Sequence, residues 1–324
     1  MELLMKFVNN LYKKELKLVN HLIKDEVVNE TIIQELYDHI FQNSGKQLRP
    51  LLSLIASSSD KRKNQKRIKI AAIIELLHTA TLVHDDVVDE SLIRRGSNTI
   101  NNNWTNSHGV LMGDFIYSKA FMLMIGIADL DILDELSKAT NDISKGELIQ
   151  LELIGRKNIT LDELKKVSYF KTGRLFEASA KCGALLANKS NKSFIKNISN
   201  FAKYLGIAFQ IKDDLLDYTL DSKHIGKPIL QDIKEGKITY PLFYALKEAN
   251  AKDKDFLINM LGAKSGYRNK DIIKKIEHLK GLEMTECLLK NYIAKSIKFA
   301  NKITDKQIRE EMLNLTKFSY ERTK

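Results

Sequence analysis

Apolar residues recur at i, i+3, i+4 and i+7 along most of the chain. The pattern holds in LVNHLIKDEV, IIQELYDHIF, IELLHTATLVHDDVV, ELSKATNDISKGELIQLELI, FAKYLGIAFQIKDDLLDY and CLLKNYIAKSIKFA. This is the spacing of one face of an α-helix. No stretch alternates convincingly with period two, and no Asn-Gly pair marks a hairpin. The breaks are local: NSGKQLRP at 43–50, RRGSNT at 94–99, HIGKP at 224–228 and KSGYRN at 264–269. None is long enough to be an interdomain linker. The pattern predicts an all-α fold, with residues 1–324 as a single domain of about a dozen helices. Proline, which interrupts helices, occurs only at Pro50, Pro228 and Pro241.

Two of these helices end on acid. HDDVVDE at 84–90 and KDDLLDY at 212–218 both read Asp-Asp-apolar-apolar-Asp, and both close a strongly apolar segment. At about 100° per residue, Asp85 and Asp89 lie about 40° apart on one helix face with Asp86 beside them. Asp213, Asp214 and Asp217 repeat the arrangement. Carboxylates this close repel one another unless a cation sits among them. Oxygen-only donors suit a hard cation, Mg²⁺ above all, which takes one or two carboxylates and completes its shell with water and phosphate oxygens. One such cluster alone is as readily a solvated helix end. Two matched clusters argue for a shared cavity, where six carboxylates could hold several Mg²⁺ around a diphosphate.

Basic residues supply the other half of an anion site. Lys46 and Arg49 sit in SGKQLRP, Arg94 and Arg95 follow the first cluster at a turn ending in Gly96, and Lys171 and Thr172 precede Gly173. Lys227 lies in HIGKP and Lys237 in EGKITYP. Arginine gives bidentate phosphate contacts and lysine a mobile point charge. Singly each reads as a surface charge; as a set placed at glycine turns and beside the acids they read as a diphosphate site. His78 lies upstream of Asp85 on the same helix, where a lone histidine is more often a core residue than a ligand. Phe209 and Gln210 precede the second cluster, and the ring offers a face that could stabilise a carbocation.

Composition narrows the partners. The chain has 324 residues, 44% apolar and 29% charged, with a net charge of +11. The lysines are spread along its length. The one dense run, DKRKNQKRIK at 60–69, has no interleaved aromatics and reads as a solvated connection, so no nucleic acid is expected. Cys182 and Cys287 lack metal-ligand spacing and fit a reducing cytoplasm. The N-terminus carries polar residues too early for a secretory signal, and the segment FMLMIGIA at 121–128 is too short to span a membrane.

On these motifs the sequence resembles the trans-isoprenyl diphosphate synthases, the polyprenyl synthetases. The resemblance runs from SGKQLRP to EGKITYPL and rests on the order and spacing of the two aspartate clusters, Arg94-Arg95-Gly96, Lys171-Thr172 and Phe209-Gln210. It implies a large helical bundle with a deep central cavity, a homodimer, and head-to-tail 1'-4 condensation of isopentenyl diphosphate onto an allylic diphosphate. It implies that Asp85, Asp86, Asp89, Asp213, Asp214 and Asp217 hold Mg²⁺, three ions with substrate bound. Arg94, Lys171, Thr172, Gln210, Lys227 and Lys237 then help grip the allylic diphosphate. Lys46, Arg49, His78 and Arg95 fall to isopentenyl diphosphate. Gln47 stands where the family often has arginine, which makes that position doubtful as a ligand. Terpene cyclases share the first motif, but their second metal motif differs from KDDLLDY; non-catalytic partner subunits usually lose aspartates that are all present here.

In this family bulky aromatics one turn before the first cluster stop chain growth early. Here Ala80 and Thr81 are small, with Leu77 a further layer down and Met122 and Met124 as facing candidates. The expected product is therefore medium or long, all-trans, of about 30 to 45 carbons and octaprenyl-like, as for a quinone side chain; a farnesyl- or geranylgeranyl-length product is the alternative. Membrane contact is at most transient, for product release. Beyond about residue 250 the sequence suggests supporting helices without chemistry of their own.

Overall fold

A computed structural model of the chain describes residues 10–25, 30–42, 45–59, 64–219, 229–263 and 268–322. Helices α1 (Asn10–Asp25) and α2 (Thr31–Phe41) lead into α3 (Leu48–Ala56) and the long α4 (Asn64–Val88). A two-stranded antiparallel ribbon, β1 (Ile93–Arg94) and β2 (Ser97–Asn98), precedes α5 (Ile100–Asn103), α6 (Asn106–Ile125) and α7 (Leu130–Leu153). Helix α8 (Leu161–Ser168) passes through a π turn (Tyr169–Gly173) into α9 (Arg174–Ala187), and α10 (Lys192–Leu216) follows. The remainder is α11 (Gln231–Lys234), α12 (Tyr240–Glu248), α13 (Ala251–Asn259), α14 (Asn269–His278), α15 (Gly281–Ala300) and α16 (Lys306–Glu321). The fold is all-α, as the periodicity predicts. There are more segments than the expected dozen because α5 and α11 are single turns and the π turn divides α8 from α9.

Burial explains which helices are central. Every residue of α4 from Ile70 to Leu77 is buried, so its middle is enclosed on all sides. It packs against α1, α3 and α6, while α9 joins α3 to α7 and α10, and α10 in turn packs on α15 and α16. Phe176, Phe201 and Phe318 bring α9, α10 and α16 into one hydrophobic core with Leu51 of α3 and Ile74 of α4. Starts of helices are fixed by side-chain caps: Asp129 accepts from the Asp131 and Ile132 amides, Thr160 and Glu163 form a reciprocal capping box, and Asn191 caps α10.

The structure departs from the sequence reading in four places. The ribbon at Arg94–Ser97 escaped the search for alternation because its strands are two residues long. Its turn residues Arg95 and Gly96 have φ of 53° and 81°, the left-handed pair that a tight hairpin requires. Part of the basic run at 60–69 is the first turns of α4, and Arg67 is buried rather than solvated. It bridges Glu15 at 2.8 Å and donates to Ser57 Oγ and the Leu54 carbonyl. Met122 is 63% exposed and faces away from the core, whereas Met124 is buried. Finally, the C-terminal helices are not merely supporting: Arg322, at the end of α16, reaches back to Asp213 of the second aspartate cluster. Among the described residues no helix is long and apolar enough to cross a membrane.

Close approach of α3 and α9 depends on Gly183. A Cβ there would collide with the Ser53 carbonyl oxygen and lie 2.9 Å from the Ala56 Cβ. Because backbone cannot yield as a flexible side chain can, Gly183→Ala is expected to destabilise the fold by about 1–3 kcal/mol. Thermal unfolding of the variant against the wild type, with a Tm lowered by several degrees, checks this.

Candidate active site

The end of α4 presents the first aspartate cluster, and each carboxylate meets a cation from elsewhere in the chain. Asp86 is buried and accepts from Arg94 Nε at 2.6 Å, across the hairpin. Asp89 accepts from Lys237 Nζ at 2.8 Å, and Asp85 Oδ2 lies 3.6 Å from Lys171 Nζ. Lys171 also donates to Glu147 at 2.8 Å and Gln150 at 2.9 Å, and Lys237 to Glu235 at 2.7 Å. Burial on its own would lower both lysines. Asp85 and Glu147 outweigh it for Lys171, and Asp89 with Glu235 for Lys237, so both are raised and carry full charge. Burial pushes the Glu147 carboxyl up, opposed by Lys171.

The π turn is what aims Lys171. Its wider winding lets Lys171 and the adjacent Thr172 serve different clusters. Thr172 Oγ1 donates to Gln210 Oε1 at 2.7 Å, and Gln210 Nε2 donates to Asp214 at 2.9 Å. Burial, and then the neighbouring charge of Asp213, work against the Gln210 hydrogen bond and push the Asp214 carboxyl up to about 7. Asp213 accepts from Arg322 Nη1 at 2.7 Å. Asp217 is used differently, since its two oxygens accept from the Gln231 and Asp232 amides at 3.0 and 3.2 Å and so cap α11. A cavity of about 60 Å³ opens beside Lys171, Gln210 and Asp214, with Leu153, Ile159 and Val167 on its apolar side.

A second group is cationic. Arg49 on α3 donates from Nη1 to His78 Nε2 at 2.9 Å and lies 4.7 Å above the Phe176 ring. Burial, with the charges of Arg49 and Arg95, holds His78 far below its usual value, so it is neutral and accepts this hydrogen bond. The Arg95 guanidinium lies against the bare Cα of Gly45, where any Cβ would strike it. Lys46 sits 5.9 Å from the Phe209 ring centroid, and Arg322 lies over the same ring at 3.5 Å while donating to the Phe209 carbonyl. The ring face expected to meet a carbocation thus carries a guanidinium. Burial, with Arg322 adding to it, pulls Lys46 down to about 8, and burial pulls Arg49 down to about 10. Gln47 exchanges amide hydrogen bonds with Asn20 of α1 and takes no part.

Most expected residues therefore converge. Lys227 lies outside the described residues. Leu77 and Ala80 are packed in the core, while Thr81 is partly exposed and donates to the His78 carbonyl at 2.7 Å. Sequence reasoning missed Glu75, Glu147, Gln150, Glu235 and Arg322. Glu147 and Gln150 sit three apart in KGELIQ, an ordinary polar face by pattern alone, and Arg322 lies in the segment without recognisable motifs. The donor set beside the first cluster is all oxygen, and the Asp85 and Asp89 side chains keep 14% and 21% exposure. Among the described residues no three acidic, histidine or cysteine side chains close into a cage. An open, oxygen-only set of this kind fits Mg²⁺, which is bound by few protein ligands and completes its shell with water and phosphate.

The polyprenyl synthetase family model matches residues 30–279. The chain belongs to the polyprenyl synthetase family. It is 34% identical to an octaprenyl diphosphate synthase of Escherichia coli over 97% of this chain and 98% of that one. It is 33% identical to a geranylgeranyl diphosphate synthase of Sulfolobus acidocaldarius, over 93% and 94%. Among solved structures it is similar to a polyprenyl synthase of Caulobacter crescentus complexed with calcium and isoprenyl diphosphate. The TM-score is 0.93 and the identity 30%, covering 99% of this chain and 98% of that one. The expectation of a prenyltransferase on an all-α frame stands.

Arg322 ties the end of the chain to the second cluster through two hydrogen bonds and a stacked ring. Loss of a hydrogen bond to a charged group costs about 1.5–3 kcal/mol, less where the carboxylate is partly solvated as Asp213 is, so Arg322→Ala is expected to lower prenyl transfer about threefold to tenfold. Steady-state kinetics of the variant, with its folding verified by circular dichroism, checks this.

Proposed function

We propose that this chain is a cytoplasmic, Mg²⁺-dependent trans-polyprenyl diphosphate synthase, folded as one domain over residues 1–324. It extends an allylic diphosphate with isopentenyl diphosphate to a medium or long all-trans product, of the kind used as a quinone side chain. The observation that carries the reading is the pairing of two aspartate clusters with two separate cationic groups: Lys171, Lys237 and Arg94 at the first cluster, and Lys46, Arg49, Arg95 and Arg322 beside His78. Two anion sites next to one another are what a reaction between two diphosphates needs.

In this reading Asp85, Asp86, Asp89, Asp213, Asp214 and Asp217 hold the metal, Asp217 while also capping α11. Bound Mg²⁺ supplies positive charge to the leaving diphosphate. Lys171, Lys237 and Arg94 hold the allylic diphosphate and stabilise the charge that grows on it as its C–O bond ionises. The Lys46, Arg49 and Arg95 group holds isopentenyl diphosphate with its double bond next to the allylic carbon. That double bond attacks the cation, a new C–C bond forms, and the departed pyrophosphate takes the proton that restores an alkene. Lys227 would join the allylic site from outside the described residues.

A homodimer is part of the proposal. It is supported by apolar side chains exposed on α6 and α7, among them Leu111, Met122, Ile125, Leu130 and Leu148. These would be covered by a second copy of the chain. Identity does not choose the product length, since the octaprenyl and geranylgeranyl relatives stand at 34% and 33%. The small, partly exposed Thr81 favours the longer one.

The deciding experiment incubates the purified chain with Mg²⁺, labelled isopentenyl diphosphate and farnesyl diphosphate and measures product carbon number. Products of about 30 carbons or more are expected, and Thr81→Phe is expected to shift them to about 15–20 by filling the wall. Products of about 20 carbons from the wild type would overturn the length and keep the enzyme; no elongation from any allylic primer would overturn the function. A pH series adds a second check. Lysine is charged below its pKa, so with Lys46 pulled down to about 8 the cation is lost as pH rises through that value. The kcat/KM for isopentenyl diphosphate is expected to fall above pH about 8, and Lys46→Arg to move that fall upward.

A further inference from the structure

One helix holds Lys171 at both ends. The segment KGELIQ of α7, from Lys145 to Gln150, packs against the π turn. At the backbone end, Gly146 is buried against the peptide that joins Phe170 to Lys171. A Cβ there would lie 2.7 Å from the Phe170 Cβ and 3.0 Å from the Lys171 amide nitrogen. Lys145 sits 5.5 Å from the centroid of the Phe170 ring. At the other end, Lys171 Nζ donates to Glu147 Oε2 at 2.8 Å and to Gln150 Oε1 at 2.9 Å. These two acceptors stand three residues apart and so share one face of α7. An ammonium has three N–H donors and no acceptor, and α7 takes two of the three. The other ion-pair partner of Lys171 among the described residues is Asp85 Oδ2, at 3.6 Å and outside hydrogen-bond distance. With two donors fixed on α7, the tetrahedral ammonium directs the third away from that helix, and Asp85 marks the first cluster on that side. Lysine is otherwise a mobile point charge on a flexible four-carbon stem. Two anchors give it a fixed direction.

We propose that Glu147 and Gln150 are positioning residues for Lys171: they hold two of its three N–H donors so that the third is aimed at the diphosphate leaving the allylic substrate. The inference rests on the function proposed above and deepens it. Neither residue touches the substrate. A cation already in place when negative charge grows on the leaving group stabilises that charge without rearranging. Asp85 does not replace the two anchors, because in the same reading it holds the metal.

The test is Glu147→Leu and Gln150→Leu, made separately. Both positions are partly buried, and each variant removes an acceptor while keeping most of the side-chain volume. Each substrate is varied at saturation of the other, and Tm is recorded alongside. Each variant is expected to lower kcat about tenfold, with the KM for isopentenyl diphosphate within about twofold of wild type. Glu147→Gln, which keeps an oxygen acceptor on a side chain of equal length, is expected to stay within about threefold of wild type. A double-mutant cycle reads whether the effect passes through Lys171. In a Lys171→Ala background, either leucine variant is expected to lower kcat by less than about twofold further. A full loss that persists in that background would mean that the two residues act elsewhere, and would overturn the inference. So would equal rises in both KM values with a lowered Tm, which would make the role structural only. An unchanged or higher kcat would overturn it too, since Lys171 would then keep its aim without α7. Calorimetric titration with Mg²⁺ and inorganic pyrophosphate keeps the two readings separate. A wild type that elongates nothing would defeat the function. In that case pyrophosphate binding weakened about fivefold by the leucine variants, but not in the Lys171→Ala background, would still uphold the role of Glu147 and Gln150, and unweakened binding would overturn it.

Discussion

Everything in this molecule turns on placing many carboxylates inside a helical bundle. Asp86, Asp214 and Glu75 are buried, and Asp85, Asp89, Glu147 and Glu235 are partly so. An unpaired charge in such surroundings costs several kcal/mol, and the aspartates of both clusters are met by a cation or a donor. The partners come from far along the chain. Lys237 reaches Asp89 across 148 residues, and Arg322 reaches Asp213 across 109. The pairs are therefore also long-range ties. The cluster at the end of α4 is complete only when the hairpin, the π turn and the segment after α11 are all in place.

That requirement explains the irregular pieces of backbone. Among the regular helices of the described residues stand one π turn and one two-residue hairpin, and each delivers a cation to the first cluster. The π turn brings Lys171 to Asp85 and Glu147 while leaving Thr172 on Gln210. The hairpin folds Arg94 back onto Asp86 and sends Arg95 toward Gly45. Asp217 serves the same end: by capping α11 it fixes the short helix that precedes Glu235 and Lys237. The second cationic group balances less evenly. Lys46, Arg49, Arg95 and Arg322 face Glu75 and Asp213, and the reduced proton affinity of Lys46 and Arg49 reflects burial among like charges. A diphosphate bound there would even this balance.

The helices and both acid clusters were legible because each is written in a local period: apolar residues every three or four positions, and aspartates at i, i+1 and i+4. The all-α frame followed from the first and the anion chemistry from the second. What was not legible depends on contacts between distant segments. Nothing in KFSYERTK distinguishes Arg322 from a solvated terminal charge until α16 packs on α10. Arg67 reads as one more charge in a basic run, yet the nearness of α1 buries it on Glu15. Asp217 completes a motif by spacing, and its bonds to the backbone of α11 are not visible there.

Product length follows the same division between local pattern and tertiary contact. The small residues before the first cluster are visible in the sequence, but their influence depends on which of them face the substrate. Ala80 and Leu77 are enclosed by the core, where close packing leaves no space for added volume and a larger side chain would strain the fold before it shortened a product. Thr81 is partly exposed, and its hydroxyl is already used by the His78 carbonyl. A single partly exposed position of this kind can change the length of a product without altering the chemistry at Asp85 and Asp89. This is physically consistent with relatives of almost equal identity that carry the names of both octaprenyl and geranylgeranyl synthases.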